Sequence, residues 1–208
     1  MTRFLFAIVA ALTLIKAEAV EAQSPSEMDV RIQRVLAEHP DTGGLIMDAG
    51  MRNAAKGEPM VCYDTILTLV NAESLKVIKF ATASRLLIGD DLSGGAALMP
   101  SGVYVITEFE CNVGVRYHYR QHFAKVTVRA GEVLSAGTLV IDYVTDGAIF
   151  RPTFSGRAHV EDYSSKTLAS LRKRCPATLA RAKRSPLIVL SAAERNNGVS
   201  PSAPTTSH

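Results

Sequence analysis

The sequence lacks any apolar run of the roughly 20 residues needed to cross a bilayer core, and its N-terminal run at residues 4–15 is too short. It also has little net charge: 23 Lys and Arg against 20 Asp and Glu leave +3. So small an excess does not indicate a nucleic-acid-binding protein. A G-x-S-x-G nucleophile motif, a phosphate loop with its lysine and an internal repeat are also missing. The best-marked catalytic classes, and nucleotide or other cofactors, are therefore not expected.

The first 22 residues have the three parts of a secretory signal peptide. Arg3 supplies the positive charge, residues 4–15 form a short apolar run, and small residues follow at Ala17, Ala19 and Ala22. Cleavage is expected after Ala22 or Ala19. No cysteine lies just after the apolar run, so lipid attachment is not predicted. We expect a soluble secreted protein, with the bacterial periplasm as its location.

Residues 23–42 are predicted to form an amphipathic helix and a linker. In the sequence SPSE, Ser24 would be the N-cap, Pro25 the first helical residue and Glu27 the end of a capping box. Apolar residues then recur on one face as far as Leu36.

Residues 43–155 carry the pattern of a β domain. Short runs rich in β-branched and aromatic residues follow one another without helices between them, and NAES at 71–74 has hairpin length. The strand at 103–111 alternates, with Val103, Val105, Phe109 and Cys111 predicted on one face. We expect one mainly β domain, an antiparallel two-sheet β-sandwich.

At residues 156–190 the spacing of the apolar residues changes from that of strands to that of a helix. Leu168, Leu171, Cys175 and Leu179 form an apolar stripe, which predicts an amphipathic helix packed on the sandwich and interrupted at Pro176. Residues 191–208 show no apolar periodicity and are expected to be a disordered tail.

The order VYVITEFEC, an aromatic strand, then VTVRAGEVLSAGTL, resembles bacterial exported proteins with a prealbumin-like (transthyretin-like) β-sandwich. The residues that match the positions typical of that family are Gly102, Tyr104, Gly131, Glu132 and Gly137. The resemblance implies the architecture of residues 43–155. It brings no catalytic residue, because many such modules have no assigned activity.

The stretch RYHYRQHF, residues 116–123, holds His118 and His122 at a spacing that suits zinc on a helix. Its neighbours favour a strand. On a strand, residues four apart are separated by roughly 13 Å, too far to share one ion. We therefore predict a half-buried strand and no metal site.

Three cysteines in an exported chain predict one disulfide and one free thiol. Cys111 ends the apolar face of its strand and Cys175 continues the apolar stripe of the last helix. The favoured pair is Cys111–Cys175, which would join helix to sheet, and Cys62–Cys111 is the alternative.

Basic residues cluster beside the leucine stripe. A solvated helix face is the simplest interpretation, and a patch for anionic lipid or envelope polymer is the alternative. The residues are Lys166, Arg172, Lys173, Arg174, Arg181, Lys183 and Arg184.

The function expected from the sequence is a non-enzymatic binding or interaction module of the cell envelope, whose partner is an unidentified envelope protein or polymer. A small envelope hydrolase built from His118, His122 and Asp90 or Asp91 is an alternative. An anionic-surface binder acting through the basic C-terminal helix is another.

Overall fold

The computed structural model describes residues 26–84, 92–145, 152–191 and 193–194. The predicted signal peptide, Asp90, Asp91 and nearly all of the predicted tail lie outside these residues. The helices are α1 Glu27–Glu38, α2 Ser165–Arg174 and α3 Pro176–Arg181. The strands are β1 Thr42–Asn53, β2 Pro59–Met60, β3 Asp64–Asn71, β4 Val77–Ser84, β5 Leu92–Ser93, β6 Gly95–Pro100, β7 Gly102–Asn112, β8 Arg116–Val128, β9 Val133–Thr145, β10 Pro152–Glu161, β11 Lys183–Arg184 and β12 Ile188–Val189.

The strands form two sheets, so the fold is a mainly β two-sheet sandwich, as predicted. Sheet A has the order β10-β9-β1, with β6 and β2 sharing the far edge of β1 and β11 beside β9. Sheet B has the order β12-β8-β7-β3-β4-β5 and is antiparallel throughout. Sheet A differs from the antiparallel expectation because β9 runs parallel to both β1 and β11.

The main core lies between the sheets. Its largest fully buried side chains include Tyr104, Phe109 and Phe123 from sheet B and Leu45 and Met47 from sheet A. The NAES hairpin is confirmed, since β3 and β4 pair antiparallel around it. β10 continues to Glu161, so the sandwich extends beyond the predicted boundary at residue 155.

Strand β7 does not keep a single alternation. Tyr104 and Ile106 are buried, and so are Phe109 and Cys111, so the inward phase changes between residues 106 and 109. Thr107 is an extra residue opposite β3, which is a β-bulge. The prediction that Val103 and Val105 share a face with Phe109 was therefore wrong. The bulge leaves Glu108 and Glu110 on the outer face of sheet B.

The helices cover part of the outer face of sheet A and form a second apolar cluster there. Ile32 and Leu36 of α1 and Leu171 of α2 pack with Ile46 and Val133 of the sheet. The N-cap of α1 is Ser26, whose hydroxyl accepts from the Asp29 amide, rather than the predicted Ser24.

The helices are also joined by a buried carboxylate. Asp29 is fully buried and accepts hydrogen bonds from the amides of Ala177 and Thr178 at 2.8 and 2.9 Å. It thereby satisfies free amides at the start of α3, which begins at Pro176 as the sequence predicted.

Within the described residues, no helix has both the length and the apolar character needed to cross a membrane.

Candidate functional site

The disulfide joins Cys62 to Cys111, with Cα atoms 5.3 Å apart, and Cys175 is a buried free thiol. The favoured prediction, Cys111–Cys175, is wrong. Both cysteines do point into apolar clusters, but these are different clusters. Cys111 lies between the two sheets and Cys175 lies between the helices and the outer face of sheet A. A sheet therefore separates the two sulfur atoms. Burial raises the pKa of the Cys175 thiol.

The stretch RYHYRQHF forms the first part of β8, so it is a strand as predicted. Tyr119 packs against the core between the sheets, and burial raises its pKa. On the neighbouring strand β7, Glu110 lies opposite His118 and Glu108 lies opposite Arg120. His118 thus meets carboxylates of a neighbouring strand, which the spacing of the histidines along β8 does not reveal.

A polar cluster crosses the outer face of sheet B from β4 to β8. We call it the sheet B polar cluster, and it consists of Thr68, Lys79, Glu108, Glu110, His118 and Arg120. The Lys79 ammonium lies 3.2 Å from one oxygen of each glutamate. The Thr68 hydroxyl donates to Glu108 Oε2 at 2.7 Å, and Arg120 Nε lies 3.3 Å from Glu108 Oε1.

Glu108 is the centre of this cluster. Partial burial alone would raise its pKa, but hydrogen bonds from Thr68 and Lys79 outweigh that effect, and the pKa is lowered. For Lys79, burial alone would lower the pKa, and the two glutamates raise it overall. The cluster therefore favours the charged form of Glu108 on the outer face of sheet B.

A cleft of about 520 Å³ lies at the junction of sheet A and the helices, and we call it the sheet A cleft. β10 pairs with residues 138–145 of β9, and β11 pairs with residues 134 and 135 along the same edge. The two strands lie end to end, and the cleft opens at the gap between them. Its lining residues are Ser135, Ala136, Gly137, Val160, Glu161, Asp162, Tyr163, Leu168, Leu179, Ala182, Arg184 and Pro186.

Tyr163 lines the cleft and connects it to β1. The pairing of β1 with β9 shifts register between Ile46 and Asp48, which interrupts the backbone ladder. The Tyr163 hydroxyl donates to the Ile46 carbonyl at 2.8 Å and accepts from the Ser135 hydroxyl at 3.3 Å. Burial raises the pKa of Tyr163, so this side chain is a neutral polar group of the cleft at neutral pH.

Glu161 belongs to both the cleft and a charged group beside it. Both of its oxygens accept from the Arg52 guanidinium at 2.6 Å, and His159 Nε2 lies 3.0 Å from Oε1. The Arg52 hydrogen bonds are the main cause of the lowered pKa of Glu161. Asp142 lies on the other side of the imidazole, with Oδ2 at 4.0 Å from Nδ1. A histidine and a carboxylate therefore converge at the rim of the cleft.

The group of His159, Glu161 and Arg52 at this rim was not predicted from the sequence. His159 and Glu161 are two residues apart on one strand, and that spacing alone would have placed them on one face. Arg52 is distant in sequence and reaches Glu161 only because β1, β9 and β10 are neighbours. His122 lies on β8, outside the sheet B polar cluster and the cleft.

The predicted basic patch does not form one free surface. Arg174 is half-buried and donates to the carbonyls of Ser93 and Gly94. Arg181 binds Gln33, Lys183 binds Glu132 at 2.6 Å and Arg184 binds Asp162 at 2.5 Å. The basic residues that α2 exposes to solvent are Lys166, Arg172 and Lys173.

No protein-family model and no curated protein matches the sequence. Among solved structures, the chain is similar to a leucine-rich repeat protein from Bacteroides thetaiotaomicron, with 9% identity and a TM-score of 0.34. The match covers 52% of this chain and 15% of the other. A likeness of that size transfers neither architecture nor function.

Proposed function

We propose that this chain is an exported, non-enzymatic binding module of the bacterial cell envelope, and that the sheet A cleft is its ligand site. The cleft is the observation that carries the proposal. Its volume of about 520 Å³ falls within the roughly 300–1,000 Å³ of small-molecule sites. The signal-peptide pattern supports export.

The walls of the cleft suit a small ligand with an apolar body and a few polar groups. Val160, Leu168 and Leu179 supply apolar surface, and the hydroxyls of Ser135 and Tyr163 supply polar groups. The Asp162–Arg184 ion pair lies at the gap between β10 and β11 and is largely exposed. Apolar walls give affinity and a few fixed polar groups give orientation in such sites.

The test blocks the cleft with a tryptophan. Ala182, just after the end of α3, lines the cleft, whereas Ala180 is exposed on α3, so Ala182→Trp and Ala180→Trp form a matched pair. Each protein is incubated with a small-molecule extract of bacterial envelopes, desalted and examined by native mass spectrometry. We expect bound ligand mass on the natural protein and on Ala180→Trp, and none on Ala182→Trp. Ligand mass on none of the proteins, or equally on all three, contradicts the proposal.

A hydrolase is the second candidate, because His159 lies 3.0 Å from Glu161 at the cleft rim. The pair of carboxylates around the imidazole could orient it as a general base. Hydrolysis of fluorogenic esters or glycosides by the purified protein, lost in His159→Ala and kept in His118→Ala, would favour the enzyme over the binding module.

A further inference from the structure

Three side chains of the sheet B polar cluster bring metal-binding atoms to one point, away from the sheet A cleft. Glu108 and Glu110 project from the same face of β7, and His118 projects from β8 directly opposite Glu110. One donor atom from each lies within 4.8 Å of the others. Because paired backbone strands carry all three residues, the sheet itself holds the donors in place.

Two further observations concern the point where these donors meet. A cation of the protein itself is held there, since the Lys79 ammonium lies 3.2 Å from Glu108 Oε2 and 3.2 Å from Glu110 Oε1. His118 Nε2 is shielded from solvent and has no hydrogen-bond partner among the described residues. It lies 3.4 Å from Glu108 Oε2 without hydrogen-bond geometry. The cluster thus offers two carboxylate oxygens and an imidazole nitrogen that has no hydrogen-bond partner among the described residues.

We propose that Glu108, Glu110 and His118 bind a divalent transition-metal ion such as Zn²⁺, and that the Lys79 ammonium competes with the ion for the two carboxylates. Imidazole nitrogen and carboxylate oxygen are ligands of Zn²⁺ at about 2.0–2.2 Å. Donors already within 4.8 Å of one another need only short side-chain movements to reach such distances. A fourth position would face solvent, since this is an outer sheet face.

Lys79 can leave the site at little cost. Its side chain is 55% exposed, and ion pairs of exposed side chains contribute little to stability. When the ammonium leaves, a divalent ion neutralises the two carboxylates in its place. Arg120 reaches only Oε1 of Glu108, so at Oε2 the metal would displace the Lys79 ammonium and share the oxygen with the Thr68 hydroxyl.

The other group of histidine and carboxylates does not fit a metal equally well. Both oxygens of Glu161 already accept from Arg52 at 2.6 Å. Asp142 is 4.0 Å from the imidazole and also faces the Arg157 guanidinium. His159→Ala is therefore a matched control for a histidine beside carboxylates that is not a metal ligand.

The experiment is a calorimetric titration of the tag-free protein with Zn²⁺ in a buffer without chelator. We expect binding of one ion per chain, reversed by EDTA. Lys79→Met should tighten binding by about fivefold, because the ammonium no longer competes for the carboxylates of Glu108 and Glu110. His118→Ala and Glu110→Gln should each weaken it by about tenfold or more.

The controls separate the site from chance binding. His159→Ala and Cys175→Ala should bind Zn²⁺ like the natural protein, and circular dichroism should show that every variant keeps the β fold. The proposal is overturned if Lys79→Met binds no stoichiometric Zn²⁺, if His118→Ala binds as tightly as the natural protein, or if His159→Ala loses binding as His118→Ala does.

Discussion

The disulfide between Cys62 and Cys111 lends itself to a quantitative test. It ties the start of β3 to the end of β7, and the two cysteines are 49 residues apart in sequence. In the loop-entropy model, closing a loop of that length reduces the entropy of the unfolded chain by about 14 cal/mol/K. This corresponds to about 4 kcal/mol at room temperature, at the upper end of the range usual for native disulfides. For a chain of this size, we expect the Tm to fall by roughly 8–16 °C when the bridge is lost.

The assay is urea unfolding of the Cys175→Ala variant, with and without a reducing agent, in which circular dichroism monitors the loss of structure. This background removes the free thiol, so that reduction affects the bridge alone. We expect reduction to lower the free energy of unfolding by about 2–4 kcal/mol. A loss of less than about 1 kcal/mol would refute the loop-entropy argument. Peptide mapping of the natural protein that finds Cys175 in a disulfide would refute the pairing itself.

Three further outcomes follow from particular contacts. A Cβ at Gly95 would overlap the backbone of β4, whereas a Cβ at Gly50 would meet no atom within 4 Å. In urea unfolding, Gly95→Ala should therefore destabilise the protein by about 1–3 kcal/mol. Gly50→Ala should destabilise it by less than about 0.5 kcal/mol. The Arg52 hydrogen bonds lower the pKa of Glu161 from its usual 4.5, so the stability that they contribute is present above pH 4.5 and is lost as the pH falls through the folded pKa. Between about pH 5 and pH 3, the natural protein should therefore lose more stability than Arg52→Met. Equal losses would contradict the assignment. If the exposed face of α2 binds anionic surfaces, binding to phosphatidylglycerol vesicles should weaken as salt rises and weaken further in Arg172→Glu, whereas no binding at low salt would exclude that role.

Local patterns predicted much of the architecture. Strand runs without intervening helices indicated a sandwich. The residues that flank the histidines in the stretch 116–123 favour β-structure, and this assigned the stretch to a strand. The interruption at Pro176 was also correct, because proline in a helix interior removes a hydrogen bond whatever surrounds it. Each of these features depends on residues close together in sequence.

The errors arose where a local pattern was extended over distance. Strict alternation in β7 placed Val103 with Phe109, but the bulge at Thr107 reverses the phase. Cys111 and Cys175 were paired because both lie on apolar faces, and periodicity does not distinguish one apolar cluster from another. Histidine spacing concerns a single strand, whereas the carboxylates that approach His118 come from the neighbouring strand, so the absence of a metal site stays a prediction.

The sequence by itself determined the kind of elements in this protein, because propensity, capping and side-chain period act within a few residues. It also determined the apolar stripe of the C-terminal helices, where no bulge shifts the period. Only the tertiary structure decided which apolar faces meet, that β1 lies parallel to β9, and that Glu108, Glu110, His118 and Lys79 share one point. Those outcomes depend on pairings between distant strands, where register sets which side chains face each other.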